Sequence, residues 1–277
     1  MDRDGNLTVT ESEITEQQIK AGDITLNVAF AGDPNAKPLL LVHGLYDRWE
    51  RWQPVIDPLS QQFRLIMPDL RGHARSDKPP RDYLPVHYAR DLLNLLTALE
   101  LETTAVIGHS LGGIIGIYLA SDTSELVSEL VVVDPPLDWS TEQREMTSIL
   151  LDAKRGTVEE TRQLFDELYW HLDDDERARM VAWLRDTADG PFEAMLDMID
   201  QRRGSEIFDR LERVTCPIML MQADPMAGSA VSNQSVAYAK TVNHSIEHIV
   251  IEDAGHAIHH HQPEKFVEVV AGFVAAN

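Results

Sequence analysis

Val106-Ile107-Gly108-His109-Ser110-Leu111-Gly112-Gly113 decides the fold of this chain. It is preceded by an apolar run, Thr104-Ala105-Val106-Ile107, as expected of a strand buried on both faces. It is followed by Ile114-Ile115-Gly116-Ile117-Tyr118-Leu119-Ala120, which suits a buried helix. A G-x-S-x-G between strand and helix sets a serine on a sharp turn, with its hydroxyl exposed at the edge of a sheet. Gly108 and Gly112 flank that turn, where side chains would collide with the neighbouring strand and helix. A plain Gly/Ser turn is the competing reading. The strand before and the helix after favour a nucleophile at Ser110.

Working outward, Gln17–Lys20 and Ile24–Phe30 read as two strands around the turn Ala21-Gly22-Asp23, an antiparallel hairpin. The first ten residues read as loose. Short apolar runs at Leu39–Val42, Phe63–Met67, Thr104–Ile107, Leu126–Val133, Ile218–Met221 and His248–Ile251 read as six further strands. Val86–Leu101 carries leucines at helical spacing, and Pro263–Ala275 is a helix that opens on proline. Strands alternating with helices predict an α/β chain with a mostly parallel eight-stranded sheet covered on both faces. The exception is Trp139–Arg203, which has no strand signal. It offers four helical patterns, Thr141–Ala153, Thr157–Leu172, Asp174–Asp186 and Pro191–Arg202, with Thr157 and Glu160 spaced as a capping box. Residues 138–206 are therefore expected to form an all-helical cap inserted into a core made of residues 1–137 and 207–277.

Composition narrows the function. The formal charge is −22, from 24 Lys+Arg against 46 Asp+Glu. Nucleic acid and anionic membranes would be repelled, so neither is an expected partner. The excess serves solubility, and adaptation to high salt is a second reading. The N-terminus Met1–Asn6 is polar, without the apolar core of a signal peptide. One cysteine, Cys216, precludes an intramolecular disulfide and suits a reducing cytoplasm. It precedes a strand and reads as structural.

Several motifs occur in order: His43-Gly44 after a strand, Asp69-Leu70-Arg71-Gly72-His73-Ala74-Arg75-Ser76 after the next, the Ser110 turn, and Asp253-Ala254-Gly255-His256 near the end. Together they resemble the α/β-hydrolase superfamily, in its branch with a helical cap, from about Gln17 to Phe273. The resemblance implies a serine hydrolase fold and apparatus, and no particular substrate. Ser110 needs a base, because an ordinary hydroxyl is a poor nucleophile at neutral pH. The resemblance assigns that base to His256. His259, His260 and His261 follow about one turn on. No Asp, Glu or Cys set accompanies them at ligand spacing, so no metal or other cofactor is expected.

The triad acid is less plain. The chain order should be Ser, Asp/Glu, His. In most of the superfamily the acid follows the strand after the cap. Here the matching position, in Ala223-Asp224-Pro225-Met226, is Met226, and Asp224 falls two residues early. In some relatives the acid follows the strand before the cap, which here reads Val133-Asp134-Pro135. Asp134 is preferred, since catalytic groups gather at the carboxyl ends of strands in open α/β sheets, and Asp224 is the alternative. Backbone N–H groups of Leu45 and Leu111 are the expected oxyanion donors. The arginines of Asp69–Ser76 are expected to brace that loop, and Trp52 to pack in the core. His43, Tyr46, Trp49, His109, Leu137 and Trp139 lie beside the motifs and are expected to line the substrate pocket, with core packing the competing role for each.

The reading that follows is hydrolysis of a small to medium, neutral ester or lactone through an acyl-enzyme, by a monomer or homodimer. Carbon–carbon bond hydrolases of the meta-cleavage type share the capped fold and the Ser-x-Gly-Gly turn. They usually place tryptophan after the catalytic histidine, where this chain has Ala257. Haloalkane dehalogenase and epoxide hydrolase relatives use an aspartate nucleophile where this chain has Ser110. A small-molecule receptor that retains the triad without turnover is the reading from another class.

Overall fold

A computed structural model of the chain describes residues 13–138, 140–170, 172–201 and 204–277. The expected looseness of the first ten residues lies outside these. Eight strands form one sheet: β1 (Thr15–Ala21), β2 (Ile24–Ala31), β3 (Lys37–Val42), β4 (Phe63–Pro68), β5 (Thr104–His109), β6 (Val127–Val133), β7 (Ile218–Ala223) and β8 (Ile246–Ile251). Their order is β1-β2-β4-β3-β5-β6-β7-β8. β1 and β2 form the expected hairpin, β2 runs antiparallel to β4, and the six strands from β4 to β8 are parallel. The chain leaves β3 towards β4 on one side and reaches β5 on the other. The crevice at such a reversal, outside the carboxyl ends of the strands, is where open α/β sheets bind ligands.

Side chains alternate across each strand, so the sheet feeds two apolar layers. Leu40, Val42, Val106, Leu130 and Val132 face one side. There they pack against α2 (Pro85–Ala98), α3 (Leu111–Asp122), α8 (Gly204–Leu211) and α9 (Asn233–Val242). Leu39, Leu41, Ile107, Val131 and Val133 face the other, against α1 (Gln53–Ser60) and α11 (Pro263–Ala276). Each such side chain contributes about 1.5–3 kcal/mol on full burial. Trp52 is fully buried in the second layer, as expected.

Between β6 and β7 lie α4 (Thr141–Arg155), α5 (Val158–Leu168), α6 (Asp174–Asp186) and α7 (Gly190–Asp200). They share an apolar cluster of their own, which includes Leu150, Phe165, Leu184 and Phe192. The Thr157 and Glu160 side chains close a capping box at the start of α5. α10 (Ile258–His261) is a single turn before α11. Sequence periodicity does not reveal α1, α8 or α9, which span only 8, 8 and 10 residues. α1 also carries Pro58 in its interior. Among the described residues no helix is long and apolar enough to cross a membrane.

The arginines of the loop after β4 brace it, as expected. Arg71 grips Asp91 of α2 through Nε (2.5 Å) and Nη2 (2.6 Å), and its Nη1 donates to the Asp82 carbonyl at 2.7 Å. Both side chains of the pair are 2% exposed. Removing one partner of such a pair strands the other charge in the interior, and Asp91→Ala is therefore expected to lower stability by about 3–5 kcal/mol. Urea unfolding midpoints read this directly.

Candidate active site

β5 and β6 are parallel neighbours, and His109 is paired with Val133 at their carboxyl ends. The next residues, Ser110 and Asp134, therefore emerge side by side. The Ser110 N–H donates to the Val133 carbonyl at 2.9 Å. Ser110 has φ 53° and ψ −118°, a conformation that L residues adopt only when the surroundings impose it. The surroundings do so by close approach: a Cβ at Gly108 would lie 2.1 Å from the Gly112 carbonyl oxygen, and one at Gly112 would lie 2.1 Å from that of Val42. α3 starts directly after Ser110, and Gly113 N–H donates to the Ser110 carbonyl at 2.9 Å.

Asp134 is fully buried, with φ 45°. Its N–H donates to the Met221 carbonyl of β7 at 2.7 Å. Its carboxylate accepts four hydrogen bonds. Oδ2 takes His256 Nδ1 and Ala230 N, each at 2.7 Å. Oδ1 takes Ser229 Oγ at 2.6 Å and Ala223 N at 3.2 Å. Burial pushes its pKa up, but the His256, Ala230 and Ser229 bonds outweigh burial and hold the group below the usual carboxylate range. An ionised carboxylate only accepts, so His256 Nδ1 carries hydrogen, and in the neutral imidazole the lone pair is then on Nε2. The His256 side chain is 38% exposed. Ser110 Oγ makes no hydrogen bond among the described residues, and such contacts commonly tighten only with substrate in place.

Asp224 is engaged elsewhere. It caps the short turn Pro225–Ala227, accepting from Met226 N at 2.8 Å, and it accepts from Asp253 N at 3.1 Å. It ties the loop after β7 to the loop after β8. Met226 is 93% exposed. The structure thus brings Asp134, not Asp224, to His256.

The N–H groups of Leu45, after β3, and Leu111, at the start of α3, donate to no protein acceptor among the described residues.

The expected pocket-lining residues divide. Tyr46 faces the helical insertion. Its hydroxyl meets that of Tyr169 at 2.8 Å, and its ring meets Phe165 edge-on. His43, Trp49, His109 and Leu137 are turned inward instead. His43 is fully buried, with Nδ1 on the Gly44 carbonyl (2.8 Å) and Nε2 accepting from Leu70 N (3.0 Å). Trp49 donates its indole N–H to Glu16 at 3.2 Å. Leu137 is buried in the layer shared with α2 and α3. His109 lies buried against His256. Trp139 lies outside the described residues.

The histidine run serves packing and loop anchoring. His259 stacks on Trp52 at 4.4 Å between ring centroids, His260 Nε2 donates to the Arg51 carbonyl, and His261 Nδ1 accepts from Gly255 N. Burial pushes the Cys216 thiol up to about 11, which suits a structural residue. Sequence reasoning missed Ser229 and Ala230, which hold the Asp134 carboxylate from 95 and 96 residues away. It also missed Asp47 and Arg51, a buried pair near His109 with Oδ1 to Nε at 3.7 Å. No local pattern marks any of them.

Residues 37–173 match the family model for the alpha/beta hydrolase fold. An uncharacterized protein of Mycobacterium tuberculosis is 41% identical over 95 residues, 34% of this chain and 28% of that protein. The match therefore spans under a third of that relative's length. The 2-(acetamidomethylene)succinate hydrolase of Mesorhizobium japonicum is 26% identical over 284 residues, covering 97% of this chain and 98% of the relative. The crystal structure of the enol-lactonase from Burkholderia xenovorans superposes with a TM-score of 0.80 at 18% identity, over 94% of this chain and 100% of that one.

The lowered Asp134 pKa has a consequence for stability. An unfolded Asp ionises near 3.9, above the folded value, so ionised Asp134 favours the fold at pH above about 4. That contribution is lost as the pH falls through the lowered folded value. The gap in unfolding midpoint between wild type and Asp134→Ala is therefore expected to narrow on acidification across this window. A gap independent of pH would count against it.

Proposed function

The chain belongs to the α/β-hydrolase superfamily, and from that premise we propose that it is a serine hydrolase of small carboxylic esters or lactones. The observation that carries the reading is the 2.7 Å bond from His256 Nδ1 to the buried Asp134 carboxylate, with the strained Ser110 emerging beside Asp134. The bond fixes the imidazole tautomer that leaves Nε2 as a base. Two unengaged N–H groups beside the serine supply the electrostatic half of the apparatus.

In the proposed reaction Ser110 Oγ attacks the carbonyl carbon while its proton passes to His256 Nε2. Asp134 stabilises the imidazolium and stays ionised. Negative charge gathers on the carbonyl oxygen and is met by the Leu45 and Leu111 N–H groups; one such donor is worth about 3–4 kcal/mol. The carbon–oxygen bond to the alcohol breaks, and the alcohol takes the proton from Nε2. Water then attacks the acyl-enzyme, giving its proton to Nε2, and the acid leaves as Ser110 regains its hydrogen. A lactone follows the same steps and yields one hydroxy acid. The names of the full-length relatives, a lactonase and a substituted succinate hydrolase, support small substrates.

Turnover of p-nitrophenyl esters of increasing chain length, together with simple lactones, tests the reading. Wild type is expected to hydrolyse short members and Ser110→Ala to hydrolyse none. Asp134→Asn is expected to lower kcat by about 10⁴, because an amide permits the wrong imidazole tautomer, while Asp224→Asn has a small effect. Full activity in Ser110→Ala would refute the mechanism. Ligand binding without any turnover would move the receptor reading forward.

A further inference from the structure

Directly behind His256 lies a second carboxylate and imidazole. His109 Nε2 is 3.1 Å from the His256 carbonyl oxygen, and the two rings are 4.6 Å apart between centroids. A carbonyl oxygen only accepts, so this bond requires hydrogen on His109 Nε2. Asp47 Oδ2 faces His109 Nδ1 at 3.8 Å, and Arg51 Nε lies 3.7 Å from Asp47 Oδ1. His109 and Asp47 are both more than nine-tenths buried. Gly44 makes room for the pair, since a Cβ there would lie 3.1 Å from Asp47 Oδ2, 3.1 Å from His109 Nδ1 and 3.3 Å from Ser110 Cβ.

We propose that His109 is a positioning residue for the reaction, holding the backbone of His256 through its Nε2–H bond. This rests on the serine hydrolase reading. Asp134 grips only the far nitrogen of the catalytic imidazole, so that ring can still rock about its Nδ1 bond. The bond from His109 to the His256 carbonyl supplies a second anchor. It comes from the residue adjacent to the nucleophile, so base and nucleophile share one rigid strand end. The anchor must be neutral, because an imidazolium 4.6 Å from His256 would oppose the positive charge that the base gains in the reaction. Burial lowers the pKa of His109 against the pull of Asp47, in keeping with that neutrality.

The test uses an alkyl fluorophosphonate, which phosphonylates an activated serine with loss of fluoride and needs no knowledge of the substrate. Gln places an N–H where the histidine has Nε2, and Met has similar volume and no donor. His109→Met is expected to slow labelling of Ser110 by about 10²-fold, the typical cost of a small misplacement in a catalytic site. His109→Gln is expected to regain most of that loss at the same melting temperature. Equal rates in the two variants would overturn the proposal, since both remove the ring and differ in the donor. The ¹⁵N spectrum of wild-type His109 gives a check that needs no variant. The Nε2–H tautomer is expected at pH 7, and an Nδ1–H or doubly protonated ring would overturn the proposal. A wild type that fails to react with the probe would sink the serine hydrolase reading, while the tautomer would still decide the bond to His256.

Discussion

The carboxylate of Asp134 is the point on which the site depends. It is fully buried and ionised, which is costly unless every lone pair finds a donor. Four donors meet that demand, and they come from the end of β7, the loop at residues 229–230 and the loop after β8. One negative charge therefore gathers three segments that are remote in sequence. The fourth donor is the histidine itself, so the interaction that closes the fold at this edge also sets the tautomer of the base.

Positive φ values at Ser110 and Asp134 stand directly after the ends of β5 and β6, and Tyr46 repeats the conformation in the loop after β3. Strain of this kind costs of order 1–3 kcal/mol per residue and persists only where the packing overdetermines it. Here the packing is the contact of α3 with the ends of β3 and β5, where no Cβ fits at Gly108 or Gly112. The serine hydroxyl stays at the cleft because its backbone has no other place to go.

Much of this was legible in sequence because it is local. The strand, turn and helix around Ser110 follow from the seventeen consecutive residues Thr104–Ala120, six of the eight strands follow from short apolar runs, and the first two follow from the turn between them. What escaped was non-local or short. α1, α8 and α9 are too brief for periodicity to speak. The division between Asp134 and Asp224 depends on where Ser229, Ala230 and Asp253 come to rest. The inward turn of His43 follows from a bond to Leu70, 27 residues on.

The position of the acid also bears on the helical insertion. β6 and β7 are neighbours with Val133 opposite Met221, so a carboxylate after either strand emerges at the same edge of the sheet. With Asp224 engaged in capping a turn, the acid sits after β6, seven residues before α4 begins. The loop that holds Asp134 also holds the root of the insertion. Gln143 Nε2 donates to the Ala230 carbonyl at 3.1 Å, and Ser232 Oγ donates to Asp138 at 2.9 Å. Ala230 thus supports the acid through its N–H and the first turn of α4 through its carbonyl. A displacement of α4 at its root would be felt at the acid through the single residue Ala230, whose two flanking peptide units carry the two bonds.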